Sequence, residues 1–107
     1  MMAQPGAAFD DVIHAPVRLR ICGALRSVQT LEFAVVRDTL EITDAHLSKN
    51  LKVLADSGYV VLRKERSPSR GDSRRLTWIS LTPQGRSALE AHLAALSQII
   101  DGGLTRS

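Results

Sequence analysis

The stretch ITDAHLSKNLKVLADSGYV, residues 42–60, carries polar side chains of the kinds that contact nucleic acid. At helical spacing one face is leucine, and the other is predicted to present His46, Ser48, Lys49, Asn50 and Lys52. In the major groove of DNA, lysine meets guanine O6 and N7, asparagine bonds adenine bidentately and serine is adaptable. Early helix positions reach the bases, which favours Ser48, Lys49 and Asn50 for base contacts. Lys52 is expected on a phosphate. The alternative is an ordinary solvated helix face.

A second group of cations follows immediately. Residues 62–75 contain six basic residues and two acidic ones, a net charge of +4 against +3 for the whole chain. The basic residues are Arg63, Lys64, Arg66, Arg70, Arg74 and Arg75. Arg70, beside a glycine, suits a narrow minor groove of enhanced negative potential, and Asp72 is placed to hold Arg74. The alternative is a hairpin protected by charge against edge pairing.

Residues suited to metal binding or catalysis are not grouped in the sequence. Cys22, His14, His46 and His92 are distributed over three helices and a turn, whereas zinc requires about four clustered ligands. We therefore expect no metal and no cofactor. The sequence contains no glycine-rich phosphate loop and no nucleophile elbow, so we expect no enzymatic activity. As the only cysteine, Cys22 excludes an internal disulfide and is predicted to be a core thiol.

Hydrophobic periodicity and capping residues predict the elements that position these groups. Helices are expected at residues 14–27, 32–41, 44–57 and 83–101, a short extended link at 30–32, and strands at 59–66 and 74–82. Thr43 is the predicted N-cap of the third helix and Gly58 its end, while Thr82 and Pro83 begin the last helix. The predicted class is mainly α with a small β-hairpin wing, in the order α-β-α-α-β-β-α of a winged helix-turn-helix.

Length and composition indicate one globular domain. The chain has 107 residues, of which 44% are hydrophobic, and its pI is near 9.6. We expect a disordered tail at residues 1–8, a DNA-binding domain at 9–82, a C-terminal helix at 83–101 and a frayed tail at 102–107. We find neither a signal peptide nor an apolar run that could span a bilayer, so a cytoplasmic location is expected.

The last predicted helix carries an apolar stripe formed by Leu89, Leu93, Leu96 and Ile100. Because this stripe is wider than one small domain can cover, we expect it to form a homodimer. Dimeric DNA-binding proteins match palindromic operators, so the partner is predicted to be palindromic double-stranded DNA. Packing against the first helix of the same subunit is the alternative.

Three segments together resemble winged helix-turn-helix regulators of the MarR/ArsR type. HAPVRLRICGAL is similar to the opening helix of ArsR-like proteins, and LSKNLKVLADSGYVVLRKE resembles a recognition helix leading into a wing. GDSRRLTWISLTPQGRSAL resembles the MarR-like pattern of an Asp-x-Arg pair, a strand and Leu-Thr-x-x-Gly. The resemblance covers residues 10–100 and implies a sequence-specific transcriptional regulator, expected to be a repressor. Helix 44–57 would then enter the major groove, and wing 59–82 would contact the backbone or the minor groove.

Two other functions fit the same fold. One is a sensor switched by a small ligand or by oxidation of Cys22, although a chain this short leaves little room for a large ligand cavity. The other is a protein–protein interaction module. Such a module need not concentrate positive charge on both the third helix and the wing, so the charge distribution favours DNA.

Overall fold

Pro16 divides the beginning of the chain into two helices. A proline disfavours helical backbone at the preceding residue, and Ala15 accordingly has an extended ψ of 134°. The computed structural model describes residues 6–66 and 75–105, the last three for their backbone only. Its elements are α1 (Asp11–His14), α2 (Pro16–Leu25), β1 (Leu31–Glu32), α3 (Phe33–Leu40), α4 (Asp44–Asp56), β2 (Val60–Arg66), β3 (Arg75–Leu81) and α5 (Pro83–Thr105). The predicted mainly α fold with a β-hairpin wing is confirmed.

Two boundaries differ from the prediction by more than two residues. Helix α1 begins before the predicted start and is separate from α2, and Asp10 caps its beginning by accepting a hydrogen bond from the Ile13 N–H at 3.0 Å. Helix α5 continues to Thr105, four residues beyond its predicted end. Part of the predicted N-terminal tail, residues 1–5, and residues 106–107 lie outside the described residues.

The connection between α3 and α4 forms the helix-turn-helix. Helix α3 ends because Glu41 adopts the left-handed conformation, with φ at 57°, so the chain turns away. Thr43 then caps α4 as predicted, and its side chain accepts a hydrogen bond from the His46 N–H at 3.1 Å. Helix α4 ends before Gly58, whose φ of 81° gives the left-handed turn predicted for it. The turn directs the chain into β2.

The sheet has three antiparallel strands in the order β1-β3-β2. Val60 of β2 lies opposite Leu81 of β3, and the register continues to Arg66 opposite Arg75. Residues directly opposite each other share a face, and successive residues alternate between faces. One face, called the inner face here, is therefore apolar at its base, with Val60, Leu62 and Ile79, and carries Lys64, Arg66 and Arg75 towards its far end. The outer face contains Arg63 and Trp78.

One hydrophobic core lies beneath α4. Its buried residues come from every helix and from the wing base, among them Ile21 and Leu25 of α2, Leu51 of α4, Ile79 of β3 and Leu89 of α5. Helix α5 begins with Thr82, whose hydroxyl accepts from the Gly85 N–H at 2.8 Å, as predicted for its N-cap. Among the described helices, none combines the length and apolar character needed to cross a membrane.

Candidate nucleic-acid interface

Four of the five residues predicted for the outward face of α4 are exposed. They are His46, Ser48, Lys49 and Lys52. Leu47, Leu51 and Leu54 form the buried side of the helix, as predicted. The exposed residues lie in the first two and a half turns of α4, so imidazole, hydroxyl and ammonium groups face solvent together from one short helix.

The prediction that Asn50 faces outward is wrong. Asn50 is only 8% exposed, because positions 47, 50, 51 and 54 together form one helical stripe that packs inward. Its side-chain amide donates to the His46 carbonyl at 3.0 Å, and its Oδ1 accepts from Arg18 at 3.1 Å. Both polar ends of the side chain are thus occupied within the protein, as a buried amide requires.

Sequence reasoning missed Arg18, which connects α2 to α4. Its Nε donates to the Val12 carbonyl at 2.6 Å, while its terminal nitrogen donates to Asn50. An asparagine on an otherwise apolar helical stripe was a signal that a buried partner exists. The sequence pattern offered no means of identifying that partner, since Arg18 and Asn50 are 32 positions apart.

On the wing, the predicted cations are divided between the two faces. Lys64, Arg66 and Arg75 belong to the inner face, where Arg66 lies directly opposite Arg75. Arg63 lies on the outer face opposite Trp78, and its Nε is 3.4 Å from a carboxylate oxygen of Glu65. Arg70 and Arg74, together with Asp72, lie outside the described residues.

A shallow groove between α4 and the inner face joins the two predicted groups. It has a volume of about 440 Å³, and its polar lining includes Ser48 and Lys52 from α4 and Lys64 from β2. Leu51 and Leu62 contribute to its apolar floor. Lys52 also pairs with Asp56 at 3.2 Å, but both side chains are well exposed, so the pair is weak and exchanges readily with solvent.

Arg37 is a further cation that sequence reasoning missed. Its Nε donates to Asp38 at 2.8 Å and its terminal nitrogen to Asp44, in the first turn of α4, at 2.9 Å. The hydrogen bond from Arg37 lowers the pKa of the Asp38 carboxyl. Because Arg37 lies on α3, its bond to Asp44 connects the two helices of the helix-turn-helix and stabilises their mutual orientation.

Cys22 is a buried thiol with little nucleophilic character. It is fully buried in the core, as predicted, and burial raises its pKa to about 11. Among residues 6–66 and 75–105, no three His, Cys, Asp or Glu side chains are grouped as a metal site would require. His14 and His92, expected to be far apart, nevertheless lie in contact.

Helix α5 divides its apolar residues between two environments. Leu89 is 1% exposed and belongs to the core of its own subunit, so the prediction that it faces a partner is wrong. Leu93 and Leu96 are half-buried. Ile99 and Ile100, in contrast, are 58% and 60% exposed. The apolar surface available to a partner is therefore concentrated in the last third of the helix and includes Ile99, which was not predicted.

Comparison with known proteins agrees with this geometry. A family model described as a winged helix DNA-binding domain matches residues 17–100. An uncharacterized protein of Methanocaldococcus jannaschii is 30% identical over 88 residues, which cover 82% of this chain and 91% of that protein.

Solved structures resemble the chain over most of its length. The transcriptional regulator homologue from Pyrococcus horikoshii OT3 has a TM-score of 0.78 and 26% identity, with 88% of each chain covered. A mutant of MarR from E. coli, solved with operator DNA, has a TM-score of 0.61 and 20% identity, covering 81% of this chain and 59% of that one. At that identity the likeness to MarR concerns the fold alone.

Proposed function

The chain belongs to the winged-helix DNA-binding family, and from this premise we propose that it is a transcriptional regulator that binds a palindromic operator as a homodimer and represses by occupying it. In this proposal α4 enters the major groove and the inner face of the wing follows the adjacent backbone. Ser48 and Lys49, exposed near the beginning of α4, contact base edges, and Lys52 and Lys64 contact phosphates.

The observation that carries the proposal is the position of Arg66 opposite Arg75. Like charges directly opposite each other on adjacent strands destabilise a sheet. Among the described wing residues the one carboxylate, Glu65, is on the outer face with Arg63, so it does not relieve this repulsion. A polyanion lying along the inner face would relieve it, because each phosphate can pair with a guanidinium.

The relation between the wing and α4 favours double-stranded DNA as that polyanion. Ser48, Lys52 and Lys64 line one groove, so a helix able to read a major groove and a cationic strand lie side by side. Operator DNA in the MarR complex shows that a protein of this fold binds such a ligand. A protein–protein module would not require like charges to face each other in the wing.

The proposed dimer uses the exposed end of α5. Leu96, Ile99 and Ile100 form an apolar surface that a second copy of the helix would cover. A twofold axis would place two α4 helices about 34 Å apart, one turn of DNA, and so match a palindrome.

Selection of bound sequences from random duplex DNA by the purified protein tests the proposal. We expect enrichment of a palindromic motif whose half-site centres are about 10 base pairs apart. The double variant R66E/R75E is the matched control, because it reverses the inner-face charge at exposed positions and should enrich nothing. Absence of a motif with the parent protein would contradict DNA recognition and favour the interaction module. A single, non-repeated motif would contradict the dimer.

A further inference from the structure

The N-terminal segment, residues 6–14, is attached to α5 through a pair of histidines. His92 is fully buried. Its Nδ1 accepts a hydrogen bond from the Asp10 N–H at 3.0 Å, and its Nε2 lies 3.2 Å from Nδ1 of His14. The Phe9 ring packs against both imidazoles with centroid distances of 4.7 Å, and the Ala8 N–H donates to a carbonyl of α5 at 3.0 Å.

This geometry is satisfied by one protonation state. Because the Asp10 N–H occupies Nδ1 of His92, the hydrogen of neutral His92 must be on Nε2. His92 is then the donor to Nδ1 of His14, which must be an acceptor. Each polar atom between the two rings has its partner in this state, and both imidazoles are neutral.

An added proton always places two donors against each other. If it goes to Nδ1 of His92, that nitrogen faces the Asp10 N–H. If it goes to Nδ1 of His14, that nitrogen faces the Nε2–H of His92. His92 could avoid this by moving its own hydrogen to Nδ1, but that nitrogen would then oppose the Asp10 N–H. Every protonated form therefore loses at least one of the two hydrogen bonds of the buried His92 ring, where an unmade bond is costly.

The surrounding groups compensate only in part for the added charge. The Asp10 carboxylate already accepts from the Ile13 N–H at 3.0 Å and from the Tyr59 hydroxyl at 2.5 Å. Burial, and then His14, lower the pKa of His92, whereas Asp10 and Asp11 act in the opposite direction. The remaining titratable groups next to Asp10 are Tyr59, after α4, and Cys22 on α2, with Arg18 beside that thiol. Both Tyr59 and Cys22 have raised pKa values, and so stay protonated and neutral.

We propose that the His14–His92 pair is a proton-operated latch, which holds the N-terminal segment and α1 against α5 when neutral and releases them when protonated. Release would reach the recognition helix through α1. The Val12 carbonyl of α1 accepts from Arg18, and Arg18 also holds Asn50 of α4. This consequence for DNA rests on the proposed function, whereas the latch itself does not.

The direction of the pH effect on the latch follows from the lowered pKa of His92. Above its ordinary value of 6.5 both the closed and the open forms are neutral, and the latch is at full strength. As the pH falls below that value the open form takes up the proton first, so opening becomes more favourable, by up to about tenfold per pH unit.

Hydrogen exchange of the full chain, corrected for the intrinsic pH dependence of exchange, tests the latch. Between about pH 7.5 and pH 5.5, protection of residues 8–14 in the parent should fall by up to about tenfold. H14Q/H92Q should abolish the difference, since the two amides offer donors and acceptors that do not titrate. H14Q alone, at an exposed position, keeps His92 and its bond from the Asp10 N–H, so it should keep a response; loss of the whole response in H14Q would show that His92 takes no part. H46Q removes the third histidine of the chain, which lies outside the pair, and should keep the parent's response.

Two outcomes overturn the latch. One is equal protection of the parent at both pH values. The other is a parent response that persists in the folded H14Q/H92Q protein, because groups outside the pair would then be responsible.

DNA affinity over the same pH range tests the coupling separately. Acid should weaken operator binding by the parent more than by H14Q/H92Q. If the DNA affinity and the hydrogen exchange do not change over the same pH range, the proposed coupling to α4 is wrong. The hydrogen-exchange result still tests the latch in that case. A protein that binds DNA at neither pH contradicts the proposed function and leaves the exchange result to be judged by itself.

Discussion

The charges of Arg66 and Arg75 are expected to lower the stability of the protein and to strengthen its binding to DNA. Replacing either with glutamine removes one side of a like-charge pair and should raise the stability of the protein by about 0.2–1 kcal/mol. The same change should weaken binding to all DNA sequences, and each lost phosphate contact should lower the salt slope of log affinity by about one. Titrations at several salt concentrations measure the slope, and urea denaturation measures the stability.

R63Q is the matched control for these variants. Arg63 is a neighbouring wing cation, but it lies on the outer face beside Glu65. Its replacement should change the salt slope less than R66Q does. Equal salt slopes for the two variants would show that the two faces of the wing contribute equally to DNA binding. The assignment of the DNA contact to the inner face would then be wrong.

Adjacent residues of α4 should separate stability from specificity. N50A removes a buried amide and leaves a terminal nitrogen of Arg18 without its acceptor, so it should cost about 1–3 kcal/mol of unfolding free energy. K49A, at an exposed position, should change stability by less than about 0.5 kcal/mol. It should instead relax preference at particular base pairs by about 1–3 kcal/mol if a bidentate contact is lost.

Denaturation and binding to a panel of single-base operator variants distinguish the two roles. A stable N50A protein would contradict the structural role of the Arg18–Asn50 bond. Uniform weakening by K49A across the whole panel would instead place Lys49 on a phosphate.

At the scale of elements, the first turn of α5 is tightly packed on the turn between α4 and β2. A Cβ added to Gly85 would overlap the carbonyl oxygen of Tyr59, a backbone atom that cannot move aside by changing rotamer. G85A should therefore destabilise the protein by about 1–3 kcal/mol or more. Because this contact positions the wing relative to α5, the variant should also bind DNA more weakly.

Gly23 provides a control for the same glycine-to-alanine substitution at an uncrowded position. It lies within α2, and an added Cβ would meet nothing within 4 Å. G23A should stabilise the helix by about 0.5–1 kcal/mol, since alanine loses less backbone entropy than glycine. Thermal melting of both variants measures the difference, and similar melting temperatures would contradict the close packing of α5 on Tyr59.

At the scale of the whole molecule, assembly should depend on the exposed end of α5. Covering the exposed parts of Ile99 and Ile100, 58% and 60% of each residue, is worth roughly 1–2 kcal/mol each in both subunits, and this gain must exceed the entropic cost of association. I99D/I100D should therefore give a folded monomer whose specific DNA binding is much weaker. Light scattering measures the mass and circular dichroism verifies folding.

S97D is the control for charge on the same stretch of helix. Ser97 is already exposed and polar, so this variant should remain a dimer. If the parent is a monomer at about 10–100 µM, well above the dissociation constants of stable dimers, and still protects a palindrome, α5 does not mediate assembly.

The order of elements could be predicted from the sequence because the signals are local. Apolar spacing, the cap at Thr43, the turn at Gly58 and the start of α5 at Thr82 and Pro83 all act within a few residues. The inward leucines of α4 and the exposure of Ser48 and Lys49 follow from the same periodicity. These features sufficed to identify a winged helix and the helix that presents its polar face.

The tertiary structure alone decided how far each buried face extends and which distant groups meet. Periodicity shows that Asn50 is adjacent to a leucine stripe, but the packing of α2 against α4 determines that Arg18 buries it. Leu89 belongs to the core, and Ile99 to the surface, because the body of the domain ends partway along α5. His14 and His92 are 78 positions apart, and their hydrogen bond depends on the way α1 folds back onto α5. No local pattern encodes such a contact, since its formation requires the whole core to assemble.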